Sequence, residues 1–122
     1  MGEIRVRAAR GAICVGEDTA PSVLSATQRL LGAMLERNAV EAVDIVSAFF
    51  TVTDDLRAAF PAEAARRMGL GRVPLLCAQE IPVEGSMRGV IRVLLQFHTT
   101  LGPEAVSHVY LDGAETLRDD LG

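Results

Sequence analysis

One α+β sheet with helices packed on a single face, within a single domain spanning residues 1–122, is predicted by three observations. The chain has 122 residues, enough for one domain and too few for a separate cofactor or substrate domain. Its segments follow the order β-α-β-α-β-β-β, without internal repeats or a compositional break that would mark a linker. One late strand has a strict two-residue period in which Ile91, Val93, Leu95 and Phe97 share a face.

The first segment, Glu3 to Val15, reads as a strand with Ile4, Val6 and Ala8 in alternation. Gly11 interrupts it, where a bulge or a close approach is expected. From Asp18 to Asn38 the capping residues Asp18 and Thr19, an early Pro21 and the stripe Val23, Leu24, Thr27, Leu30, Leu31, Met34 and Leu35 predict an amphipathic helix. Val43 to Thr53 is a buried strand by its β-branched and aromatic content. Asp54 to Leu70 reads as a helix broken or restarted at Pro61, because proline belongs in a first turn, and Gly69 and Gly71 end it. A strand from Arg72 to Val83, a turn at 84–87, the strand from Arg88 to Thr100, a last strand from Ala105 to Ala114 and a short tail complete the chain.

Composition removes several function classes. A net charge of -4 argues against general nucleic-acid binding, which uses basic surfaces. No apolar run approaches the roughly 20 residues of a membrane span, and the N-terminus lacks a signal peptide's apolar centre, so the expected location is the cytoplasm. Cys14 and Cys77 have no CxxC spacing and make neither a zinc site nor a disulfide framework. All twelve cationic side chains are arginine. Arginine grips carboxylates through a planar fork of donors.

On the strand from Arg88, the face opposite Ile91 carries Val90, Arg92, Leu94, Gln96 and His98. Solvent tolerates the polar members, whereas Val90 and Leu94 call for cover, such as a symmetric oligomer supplies. The stretch RVPLLCAQEIPV places the Cys77 thiol close to the Glu80 carboxylate with no catalytic histidine nearby. On a regular strand the two would face opposite ways, so only a bend near Ala78 or Gln79 could bring both to one ligand.

The segments RGAICVGEDT, FTVTDDLRAAFPAEAARRMG, RVPLLCAQEIPV, IRVLLQFHT and HVYLDGAETLRDDL, in this order and spacing, resemble the small monofunctional chorismate mutases of the trimeric α/β-barrel kind, from about Arg10 to Leu121. The resemblance implies a mixed sheet assembling as a homotrimer, a pseudo-α/β-barrel with sites between subunits. It implies rearrangement of chorismate to prephenate, a pericyclic step needing neither nucleophile nor general base, and no cofactor or metal. Arg10 and Tyr110 would then bind a substrate carboxylate, Arg92 the ether oxygen and a carboxylate, and Glu80, with Cys77 beside it, the ring hydroxyl. Phe60 and Leu117 would form apolar wall, with Arg66 and Arg118 near the opening. Glu63 stands three and four positions before Arg66 and Arg67, the spacing of a surface helix pair. Two alternatives share parts of this reading: the trimeric imine and enamine deaminases, which have a similar architecture, and a non-catalytic binder of a dicarboxylate metabolite.

Overall fold

The computed structural model describes residues 2–121 and, in the final turn, side chains as far as Leu117. Five strands form one mixed sheet in the order β3-β2-β4-β1-β5, with β1 Arg5–Cys14, β2 Ile45–Val52, β3 Leu75–Gln79, β4 Val90–Thr99 and β5 Val109–Leu111. The central β4 runs antiparallel to β1 and β2, while the edge strands β3 and β5 run parallel to their neighbours β2 and β1. Two helices, α1 Ala20–Arg37 and α2 Pro61–Arg67, complete the main elements. None of the described helices is long and apolar enough to cross a membrane.

The α1 helix follows its sequence signals closely. The Thr19 hydroxyl accepts the Ser22 N–H, Pro21 occupies the first turn, and Val23, Leu24, Thr27, Leu30, Leu31 and Met34 are buried. Thr27 is tolerated in the core because its hydroxyl donates to the Val23 carbonyl at 2.8 Å. Beneath the helices lie Ala9 and Ile13 of β1, Ala48 and Phe50 of β2, and Ile91, Val93, Leu95 and Phe97 of β4. A register shift between Ile45 and Ser47 lets Ile45 join this face ahead of Ala48 and Phe50.

Several boundaries differ from the sequence expectation. Residues 54–60 are not helical, and α2 starts at Pro61. The reason is competition for donors: the Asp18 carboxylate accepts the N–H groups of Arg57 and Ala58, both at 2.9 Å, and fastens this loop to the start of α1. β3 is confined between Pro74 and Pro82, and residue 81 already begins a tight turn closed by Val83 N–H to Ile81 O at 2.8 Å. β5 keeps three residues because only Gly11, Ala12 and Ile13 offer it a partner. The tail from Ala114 is a 3-10 segment.

The alternation of Ile4, Val6 and Ala8 does not mark the core face of β1. The register with β4 runs unbroken from Arg5 to Cys14 and puts Val6, Ala8, Arg10, Ala12 and Cys14 on the face away from the helices. Gly11 lies on the helix face, and close approach rather than a bulge explains it: a Cβ there would stand 2.5 Å from Met34 Sδ and 3.1 Å from Leu30 Cδ1. Both neighbours are fully buried and have nowhere to retreat. Gly11→Ala is therefore expected to destabilise the protein by about 1–3 kcal/mol, read as a thermal midpoint several degrees lower.

Candidate active site

The sheet face away from the helices is organised in rows set by strand pairing. One row crosses all five strands as Ala78, Thr51, Arg92, Ala12 and Tyr110; the next runs Leu76, Phe49, Leu94 and Arg10. Directly paired residues share a face and stand about 5 Å apart. Arg10, Phe49, Thr51, Arg92, Leu94 and Tyr110 thereby line a depression of about 350 Å³. One end of this face is closed by the C-terminal 3-10 segment, whose Ala114 and Leu117 pack with Ala12, Cys14, Met87, Val90 and Tyr110. The cover expected over Val90 thus comes from the chain itself. Burial under this cap, with Glu115 and Asp112 nearby, pushes the Cys14 thiol above its ordinary range.

Three hydrogen bonds fix the strand that carries Tyr110. Asn38, buried at the end of α1, donates to Ser107 O and accepts from Ser107 N–H at 2.9 and 2.8 Å. His108 Nδ1 accepts the backbone N–H of Arg10 at 2.9 Å, tying the segment before β5 to β1.

Glu80 follows the last residue of β3. Its N–H donates to Val52 O at 2.9 Å, and its Oε2 accepts the Thr51 hydroxyl at 2.7 Å. The same oxygen lies 3.0 Å from Arg92 Nε. Distance and direction disagree here, because Arg92 Nε is buried without a hydrogen bond of acceptable geometry. An N–H aimed past its neighbour is a weak bond. Arg92 is held by charge, and its partly exposed side chain lines the depression.

The loop between Glu80 and Arg92 is anchored at its far end. Arg88 pairs with Asp54 at 2.6 Å, and Gly89, at φ +67, donates its N–H to Asp55 at 3.2 Å. A Cβ at Gly89 would meet Val15 O at 2.9 Å. Chiefly the Thr53 hydroxyl, with help from the Gly89 N–H and Arg88, holds the Asp55 carboxyl below the usual carboxylate range.

The expected site residues separate into two sets within one chain. Arg10, Glu80, Arg92 and Tyr110 gather on the open face, with Leu117 at its cap. Phe60, Arg66 and Cys77 do not join them. Phe60 is 74% exposed at the start of α2. Arg66 is engaged by Glu63 at 3.1 Å, and its hydrogen bond, with that of Arg67, keeps the Glu63 carboxyl below its ordinary range. Cys77 packs against the core beside Phe50, its partner on β2. Cys77 and Glu80 therefore lie on opposite sides of the sheet, as strand alternation dictates, and no bend brings them together. The side chain of Arg118 lies outside the described residues. Thr51, the hydroxyl on Glu80, was missed by sequence reasoning; its only signal was the register that sets it opposite Arg92.

Residues 6–121 match the family model described as chorismate mutase type I. The chain belongs to that family. It is 52% identical to chorismate mutase AroH of Thermus thermophilus over 117 residues, covering 95% of this chain and 96% of the relative. It is 38% identical to chorismate mutase AroH of Bacillus subtilis (strain 168), covering 95% and 92%. A solved chorismate mutase from Clostridium thermocellum superposes with a TM-score of 0.89 at 46% identity, covering 90% of this chain and 98% of that one. Within this chorismate mutase family member, a thiol on the core side is a packing group. Cys77→Ser is expected to lower stability by about 1 kcal/mol, measured by thermal unfolding, because it sets a hydroxyl against Phe50.

Proposed function

We propose that this protein is a chorismate mutase that rearranges chorismate to prephenate, working in the cytoplasm as a homotrimer with sites between subunits. The observation that carries the reading is Arg92: a guanidinium at the middle of the central strand, in one depression with Arg10 and Tyr110.

The chemistry explains why such a face suffices. The ether C–O bond of chorismate breaks as a carbon–carbon bond forms, with no proton moved and no covalent link to the protein. Catalysis then reduces to holding the compact diaxial conformer and stabilising negative charge as it grows on the ether oxygen. Arg92 supplies the positive charge. Arg10 and Tyr110 take a substrate carboxylate, and Glu80 accepts the ring hydroxyl. Because the ether charge develops only along the reaction, Arg92 favours the transition state over the substrate.

Assembly accounts for the two separated sets of residues. Phe60 and Arg66 can line the same site as Arg10 and Arg92 if they come from a neighbouring copy. The open face also carries apolar side chains that one chain leaves in water, Phe49 at 38% and Leu76 at 59% exposure. Leu117 borders the site as apolar wall, and Arg118 is assigned to its opening alongside the neighbour's Arg66.

The first test is the loss of chorismate absorbance on adding protein; a chain that leaves chorismate unchanged refutes the reading. Arg92→Ala is expected to lower kcat by about a hundredfold or more with a smaller effect on KM. Arg92→Lys, which keeps the charge and loses the fork, is also expected to be badly impaired. For assembly, sedimentation should give a trimer, and mixing inactive Arg92→Ala protein with a variant inactivated at Arg66 should restore activity, since some sites then combine two intact walls. An active monomer refutes the shared site.

A further inference from the structure

We infer that Thr51 is a positioning residue: its hydroxyl holds the Glu80 carboxylate beside Arg92 without letting it close on the guanidinium. The inference rests on the chorismate mutase reading and concerns how the donors of Arg92 stay open to substrate.

Three facts support it. Thr51 and Arg92 are directly paired across β2 and β4, so hydroxyl and guanidinium rise side by side from one face. An ionised carboxylate only accepts, so in the 2.7 Å contact the Thr51 hydroxyl donates to Glu80 Oε2, at the length of a charge-assisted bond. That same oxygen is 3.0 Å from Arg92 Nε, whose N–H is buried and makes no hydrogen bond, so the donors left for substrate are those at the outer end of the half-exposed guanidinium.

The alternative arrangement is the one carboxylates and guanidiniums prefer, two parallel N–H···O bonds in a fork. Glu80 is close enough to approach it. Its main chain is pinned by the bond to Val52 O, so the remaining freedom is rotation of the side chain. Thr51, β-branched and stiff about χ1, holds Oε2 in place and limits that rotation. A fork would consume donors that the ether oxygen and a substrate carboxylate need. With Thr51 in place, Glu80 keeps its other oxygen for the substrate hydroxyl.

Thr51→Val removes the hydroxyl at nearly constant shape; Thr51→Ala removes it with no added bulk and serves as a second truncation. Each is expected to lower kcat about tenfold, the loss of one charge-assisted hydrogen bond, with KM changed less. Thr51→Ser, which restores the donor, is expected to recover most of kcat. In a Glu80→Ala background, the same truncations are expected to have no further effect, because there is no carboxylate to restrain. A merely structural role predicts the opposite: additive losses with and without Glu80, and no rescue by serine. Truncation that leaves kcat within about twofold, or that is equally harmful without Glu80, overturns the inference while wild-type turnover of chorismate leaves the parent reading standing. A wild-type chain inert toward chorismate overturns both.

Discussion

The architecture depends on the two-faced strand β4. It pairs along both edges, and every second residue must serve either the core or the open face. Ile91, Val93, Leu95 and Phe97 are almost fully buried. Once they point toward the helices, Arg92 has to point away, because a guanidinium set among Phe50, Leu30 and Met34 would lose its hydration without a partner. The strongest apolar requirement in the chain therefore aims its central cation. A one-residue slip of β4 would bury the arginine and expose the core together.

The cationic face is rigid for the same reason. Arg10, Thr51, Arg92 and Tyr110 sit on four adjoining strands whose spacing is fixed by backbone hydrogen bonds, and Glu80 is held where β3 ends by a bond to β2. A reaction that asks only for conformer selection and a fixed field gains most from such a scaffold, since donors already in place need no reorganisation as charge develops. Loops contribute at the margins, where Arg88, Asp54 and Asp55 fasten the segment between Glu80 and β4.

The parts of the fold legible in the sequence were those with a long, uninterrupted period. The stripe on α1 and the alternation on β4 each specify a face over several repeats, and both faces lie where they were expected. What the sequence did not reveal depends on contacts between distant segments. Helical composition at 54–60 yields to Asp18, whose claim on two N–H groups is visible only after α1 and this loop meet. Val6 and Ala8 alternate as a core strand would, but the register with β4 turns them outward. Arg10, Glu80, Arg92 and Tyr110, which the structure brings together on the open face, were singled out through family motifs. Thr51 was not, because a threonine in a strand carries no signal until its cross-strand partner is known, and whether the strand bends to bring Cys77 round to Glu80 could be settled only by the backbone.

The strand order also governs how the chain can mature. β1 and β2 both pair with β4, which occupies the slot between them. They do not pair with each other in the sheet, and the strand that unites them is made after both. Until β4 leaves the ribosome, β1 with α1 and β2 with β3 are two half-built pieces whose inner edges have no partner. The sheet is therefore closed late, by long-range pairing, and the growing chain has to be kept from filling that slot with a strand from another molecule.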